Sequence, residues 1–175
     1  ATSWFGKNHN VPAFAASQAG PFDQWPVGMG FEYFYGFVGG DANQWQPNLF
    51  RNTTQIYPFE GKPGWNLITG MADDAIDYVS RMHQIQPDKP IFIKYAPGAT
   101  HAPHHVPQEW IARWKGKFDQ GWDVIREQSL ARQIKMGIVP KGTKLAPKPE
   151  AIKDWAALSD DEKRLFARQA EVYAA

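Results

Sequence analysis

The feature that most constrains the fold of this chain is an amphipathic helix pattern followed directly by a short apolar run. Residues 67–85 carry apolar side chains three and four positions apart, which predicts a helix with one buried face. Pro87 ends this pattern, and residues 91–96 have the length and composition of a strand buried on both faces, as in a parallel sheet. Because a helix followed by a buried strand is half of a β-α-β unit, we expect an α/β fold with flanking helices and long loops.

Weaker patterns lie on either side of this helix and strand. Short extended pieces are predicted within the aromatic-rich and glycine-rich first part of the chain, at residues 1–5, 31–37 and 55–59. The strand at 1–5 is expected to run into a loop at Gly6. Further helices are predicted near Pro107, over residues 122–136 and after the capping-box sequence that begins at Ser159. Residues 1–175 are therefore predicted to form a single partial domain.

Composition excludes several classes of function. The 175 residues include 19 basic and 18 acidic side chains, so the formal net charge is +1 and gives no reason to expect a nucleic-acid partner. No stretch approaches the ~20 apolar residues of a membrane span, so no membrane partner is expected. The absence of cysteine excludes disulfides and thiolate metal sites. Any charged binding site must therefore be local.

A lysine and a histidine follow the first predicted strand. In open α/β sheets, ligands bind at the carboxyl ends of the strands, and Lys7 and His9 stand just beyond such an end. Lysine offers a fixed positive charge and histidine a group that titrates near neutral pH, which together suit an anionic substrate. Most Lys-x-His pairs are surface features without a function, so this pair alone does not establish a site.

A second cluster, residues 100–105, follows the apolar run and holds three histidines. A helical zinc motif is excluded because Pro103 would break the helix that such a motif needs. For His104 and His105 we favour a polar loop with solvated imidazoles, whereas His101 lies nearest the strand end. If the two strands are neighbours in one parallel sheet, His101 converges with the first cluster. The combined groups could bind a tetrahedral oxyanion and transfer protons.

Three segments in this order resemble the sulfatase family. Residues 3–10 resemble its G-K-x-H segment, residues 28–36 its G-F-(D/E)-x-(F/Y)-x-G segment, and residues 90–104 its apolar strand ending in an H-x-P loop. The tract 110–122 is similar to larger bacterial arylsulfatases. The resemblance implies an alkaline-phosphatase-like α/β fold and the hydrolysis of small-molecule or carbohydrate sulfate esters.

The resemblance also implies roles for individual residues. Lys7 would bind the sulfate and the hydroxyl of a formylglycine nucleophile, His9 would act as a base, and His101 would contact the sulfate and the leaving oxygen. These roles make His9 and His101 the candidate catalytic residues, with Lys7 and His101 binding substrate.

The family's cofactors have no counterpart among these residues. Sulfatases use a calcium ion and a formylglycine made from Cys or Ser in a C/S-x-P/A-x-R motif. The chain has no cysteine, and none of its serines lies in that motif. The paired Asp, the later Asp-Asn pair and the distal Lys of the family site are also missing, so no metal ligand is expected here. The simplest interpretation is the middle of a longer enzyme, inactive alone.

Two alternative functions stay open. A phosphatase or phosphonate hydrolase of the same fold would use a similar lysine and histidines. A non-catalytic binding module could use the aromatic residues, which make up 14% of the chain and are frequent between Phe14 and Trp65. Exposed aromatic rings stack on sugars and aryl groups, although we favour a packing role for most of these rings. The specific ester, the oligomeric state and the localisation are left open.

Overall fold

A computed structural model describes all residues from 1 to 175. The chain divides into two compact units, Ala1–His105 and Val106–Ala175. The first unit contains the only sheet, and the second consists of helices joined by irregular segments. None of the helices combines the length and the apolar character that a membrane span needs.

The first unit is built on a sheet of five strands. In chain order these are β1 (Thr2–Asn8), β2 (Tyr33–Val38), β3 (Leu49–Arg51), β4 (Thr54–Ile56) and β5 (Phe92–Ala96). Their order across the sheet is β4-β3-β2-β1-β5. Strand β1 pairs in parallel with both β2 and β5, while β3 and β4 extend the sheet in antiparallel pairing. With the helix that follows β4, this arrangement confirms the α/β class.

Strand β1 is longer than predicted. The sequence indicated a strand over 1–5 and a loop from Gly6, but the strand continues to Asn8. Residues 6–8 pair with Gly36, Phe37 and Val38 of β2, so a glycine that usually marks a turn is held in the strand by its neighbours. Lys7 is therefore part of the strand.

Helix α1 (Leu67–Ile85) has the predicted bounds. Its first turn is capped by Asn66, whose side chain accepts a hydrogen bond from the N–H of Ile68 at 3.0 Å. The apolar face of α1 packs on one face of the sheet in a core that includes Phe5, Tyr35, Leu49, Met71 and Tyr78. The helix thus covers β1 and β2, as the periodicity of its apolar residues requires.

A polar network fastens α1 to the sheet. The hydroxyl of Tyr33 donates to Asp74 at 2.5 Å, and Arg51 forms a 2.6 Å ion pair with the same carboxylate. Burial, followed by the hydrogen bond to Asp74, raises the pKa of Tyr33 well above its ordinary value. Tyr33 therefore stays protonated and links β2, β3 and α1.

The loop after β1 covers the other face of the sheet. Trp25 is fully buried there, and its indole N–H donates to the carbonyl of Ala15 at 2.8 Å. Its ring packs with Trp4, Phe34 and Phe50. The packing role favoured for the aromatic residues is confirmed for these rings, which hold the long loop against the strands.

Strand β5 lies where the sequence indicated, but it is not buried on both faces. Phe92 is 61% exposed, Ile93 38% and Tyr95 44%. The expectation was wrong because β5 is an edge strand with β1 as its one neighbour, and α1 packs over β1 and β2. An apolar run shows that a strand can form, but the order of the strands decides its burial.

The second unit contains three α-helices and a short 3₁₀ turn. These elements are α2 (Gln108–Ala112), α3 (Gly121–Lys135), the 3₁₀ turn Trp155–Ala157 and α4 (Asp160–Ala174). The predicted capping box is confirmed: Ser159 and Glu162 exchange hydrogen bonds, and those from the Ser159 N–H and hydroxyl lower the pKa of Glu162 to about 2. Asp123 of α3 binds Lys148 and the N–H of Trp155, which ties the irregular segment to the helix.

Candidate active site

The first part of the site is the end of β1. Two hydrogen bonds fix its backbone: the Trp4 indole N–H donates to the carbonyl of Lys7 at 3.0 Å, and the N–H of Gly39 donates to the carbonyl of Asn8 at 2.8 Å. Asn8 is fully buried, and its side-chain oxygen accepts from the N–H of Asn10 at 3.0 Å. Lys7 and His9 therefore flank a rigid, buried residue.

Glycine at position 6 allows the strands to approach closely just before the site. Gly6 has a φ of +101°, and a Cβ there would lie 2.1 Å from the carbonyl oxygen of Ala96 in β5. On the other side, a Cβ at Gly36 of β2 would lie 2.0 Å from the carbonyl oxygen of Gly6. Near their carboxyl ends, the three strands thus approach so closely that only glycine fits at positions 6 and 36.

The second part of the site is the loop after β5. The N–H of His101 donates to the carbonyl of Gly98 at 3.0 Å, which closes a turn. The Nδ1 atom of His101 lies 2.7 Å from the carbonyl oxygen of Ala102. Because a carbonyl oxygen can only accept, Nδ1 carries a proton, which leaves Nε2 as the ring atom that can take part in proton transfer.

The sheet brings both clusters to one edge. Strands β1 and β5 are parallel neighbours, with Gly6 opposite Ala96, so the residues that follow them emerge side by side. We name the edge at which β1, β2 and β5 end the carboxyl edge. Lys7, His9 and His101 all lie there, which fulfils the condition of neighbouring parallel strands.

The loop after β2 contributes residues that the sequence analysis missed. A Cβ at Gly40 would lie 3.0 Å from Cε1 of His9, so the backbone passes directly beside this imidazole. Gln44 is 3% exposed, and its N–H donates to Nδ1 of His105 at 3.4 Å. The expectation that His105 is a solvated imidazole was therefore wrong. The sequence signal for this loop was the glycine turn at residues 39–40, which follows the predicted strand at 31–37.

Gln44 has an unusual environment for a buried amide. Its Nε2 donates to the carbonyl of Ala42 at 3.0 Å, but its Oε1 has no hydrogen-bond partner in the protein. A Cβ placed on Gly98 would lie 3.6 Å from Nε2, so the amide packs against the loop that carries His101. Three strands therefore contribute residues to the carboxyl edge.

The chain's own residues do not supply a metal site. Residues 1–175 contain no group of three or more His, Cys, Asp or Glu side chains that could hold a metal ion. No residue can become formylglycine within the required motif either. The residues present thus fit neither the calcium ion nor the modified nucleophile that the resemblance implies.

Comparison with known proteins decides the family. The family model for sulfatases matches residues 1–174. This chain belongs to the sulfatase family. Among other sulfatases, it is 28% identical over 158 residues to an arylsulfatase of Klebsiella aerogenes, a match that covers 86% of this chain and 33% of that enzyme. It is also 28% identical over 169 residues to an uncharacterized sulfatase of Schizosaccharomyces pombe, covering 87% of this chain and 30% of that protein.

The chain spans about a third of the length of these two sulfatases, with shares of 33% and 30%. Among solved structures, it is similar to Ps i-CgsB, whose crystal structure is a complex with k-i-k-neocarrahexaose. The sequence identity is 20% and the TM-score 0.47, and the match covers 64% of this chain and 26% of that one.

Proposed function

We propose that this chain is the central portion of a sulfatase catalytic domain and supplies the sulfate-binding and proton-transfer groups of a sulfuric ester hydrolase. The observation that carries the proposal is the parallel pairing of β1 and β5, which brings Lys7, His9 and His101 to the carboxyl edge. Membership of the sulfatase family supports the chemistry. The substrate is a sulfate ester of a small molecule or a carbohydrate.

Lys7 is assigned to the sulfate group itself. Its ammonium offers a positive charge at the end of a buried strand, where a tetrahedral anion can bind. Charges and donors held in advance stabilise the charge that develops on the sulfate oxygens in the transition state. The hydrogen bond from Trp4 to the Lys7 carbonyl holds the backbone from which this side chain extends.

The two histidines are assigned to proton transfer. His101 acts through Nε2, because its Nδ1 proton is bound to the carbonyl of Ala102. With Nε2 also protonated, the cationic ring contacts the ester oxygen and donates the Nε2 proton to it as this oxygen leaves. His9 acts as the base on the β1 side of the site. A calcium ion and a formylglycine nucleophile would have to come from outside residues 1–175.

The test is sulfate-ester hydrolysis by the whole protein, with 4-nitrophenyl sulfate as substrate. His9→Ala and His101→Ala are each expected to lower kcat on the order of 100-fold or more, because each removes a positioned proton carrier. His83→Ala is the matched control, since this exposed histidine lies in the last turn of α1 and should leave kcat unchanged.

Two results would contradict the proposal. Near-normal activity of both His9→Ala and His101→Ala would show that the assigned roles are wrong. Faster hydrolysis of 4-nitrophenyl phosphate than of the sulfate by the unmodified protein would instead identify a phosphatase on the same fold.

A further inference from the structure

Two open cavities lie beyond the candidate active site, next to β3 and β4. The larger has a volume of about 830 Å³ and lies among residues 16–19, 46–48 and 55–60. The smaller, of about 420 Å³, lies between Trp45 and Trp65, and both are lined by Gln46 and Phe59. Because they share a wall, we treat them as one groove and call it the amide groove.

Part of the lining of the amide groove lies at the carboxyl edge of the sheet. Strand β3 runs antiparallel to β2, so its first residue, Leu49, lies near the end of β2, and β4 returns to the same side. The residues before β3 and after β4 that line the groove therefore lie at this edge, although β4 and β5, which precedes His101, stand at opposite ends of the strand order. Along the chain, Trp45 directly follows Gln44, which packs against the loop that carries His101.

Amide side chains form the polar lining of the larger cavity. Gln55 donates to the side-chain oxygen of Asn48 at 2.7 Å and accepts from Gln18 at 3.2 Å, which fixes three amides in one chain of hydrogen bonds. Asn48 itself is exposed. Amides held in this way can donate to and accept from neighbouring hydroxyl groups of a ligand without a large cost of ordering.

Aromatic rings form the apolar lining. Tyr57 is 50% exposed, and its ring meets that of Phe59 edge to face at 6.1 Å. The Phe59 ring in turn lies 5.9 Å from that of Trp65. These rings form a row beside the amides, whereas Trp25 and its neighbours are buried in the core. Rings next to amides match the alternation of apolar faces and hydroxyls on a sugar.

The charges of the groove distinguish its two cavities. The larger cavity is lined by the carboxylate of Glu60 and by no cationic side chain, so a sulfated sugar ring would be repelled there. The smaller cavity is lined by Lys62 and by no acidic side chain. An anionic group is therefore tolerated in the smaller cavity, where Trp45 directly follows Gln44 in the chain, and disfavoured in the larger cavity.

We propose that the amide groove binds the carbohydrate part of the substrate, with an unsulfated sugar unit in the larger cavity. The inference deepens the proposed function and rests on it for the position of the ester. No histidine lines the groove itself. It assigns the ester to an oligosaccharide rather than to a simple aryl alcohol. Tyr57 stacks on the neutral unit, and Asn48 with Gln55 binds its hydroxyls.

The experiment is a binding titration of the whole protein carrying His9→Ala, which is expected to slow turnover on the order of 100-fold or more. A panel of neutral and partly sulfated oligosaccharides is added, and the change in tryptophan fluorescence from Trp45 and Trp65 reports binding. At least one oligosaccharide is expected to bind with saturation, and Tyr57→Ala and Asn48→Ala are each expected to weaken it on the order of 10-fold. Phe14→Ala is the matched control, because this 76% exposed ring lines neither cavity.

The inference is overturned if no oligosaccharide of the panel binds, or if Tyr57→Ala and Asn48→Ala both bind as tightly as the parent protein. Its failure is separable from failure of the proposed function, because 4-nitrophenyl sulfate is too small to need the groove. Hydrolysis of this ester without oligosaccharide binding would support the sulfatase function and contradict the binding role of the groove. Oligosaccharide binding without hydrolysis of any sulfate ester would support the binding role of the groove and contradict the sulfatase function.

Discussion

Strands β1 and β5 carry the two halves of the candidate site but differ in their surroundings. Strand β1 lies between two parallel neighbours, with Trp4 at 3% and Phe5 at 0% exposure, while β5 is an edge strand on which Phe92 is 61% exposed. Both strands nevertheless end at the carboxyl edge. The position of a site residue is thus set by the order and direction of the strands, while the burial of a strand contributes its rigidity.

The largest predicted effect comes from comparing one phenylalanine in each strand. Phe5→Ala removes a fully buried ring from the core against α1 and is expected to cost ~3–5 kcal/mol of unfolding free energy. Phe92→Ala removes a mostly exposed ring from β5 and is expected to cost less than ~1 kcal/mol. Urea unfolding of the 175-residue chain, followed by circular dichroism, measures both values.

Equal costs for the two variants would contradict the contrast between the strands. It would mean that β5 is packed as tightly as β1 in solution. A smaller cost for Phe5→Ala than for Phe92→Ala would reverse the comparison.

A smaller effect is predicted where the two strands touch. Gly6 and Gly30 have almost the same positive φ, +101° and +100°, but a Cβ at Gly30 meets nothing within 4 Å. Either substitution by alanine adds backbone strain of ~1–3 kcal/mol. Gly6→Ala is expected to cost a further ~1–3 kcal/mol, because its Cβ collides with the Ala96 carbonyl of β5.

Thermal or urea unfolding of the two variants gives this difference directly, and Gly30→Ala serves as the control for strain. In the whole enzyme, Gly6→Ala should also lower kcat, because it forces β5 and the loop of His101 away from β1. Identical stability and activity of the two variants would show that the close approach of the strands is not needed.

The contrast between the strands also explains what the sequence could predict. Helix α1 and the capping box of α4 depend on local spacing, so their positions followed directly from the residues. Strand β3 has three residues, too few for an alternating pattern, and it was missed. The extension of β1 beyond Gly6 depends on β2 and β5, and the exposure of β5 depends on its place at the edge. A local sequence pattern predicts neither the length of β1 nor the exposure of β5.

The residues of the candidate site also divide into those that a local pattern predicts and those that it does not. Lys7, His9 and His101 could be named because they lie at or just beyond the ends of recognisable strands, in segments that resemble a family. Gln44 and Gly40 could not, because they lie in a loop without periodicity and reach the carboxyl edge through tertiary packing. The amide groove is likewise assembled from segments that are far apart in the sequence, which only the fold brings together.

We propose that the ends of β1 and β5 form one anion site. The most direct measurement is an NMR titration of the whole protein with inorganic sulfate, in which the imidazole signals of His9, His101 and His83 are followed separately. A shared site predicts that His9 and His101 shift together with one Kd, that Lys7→Met abolishes both shifts, and that His83 does not respond. Shifts of His9 and His101 with different Kd values, or a response of only one of them, would contradict a shared site.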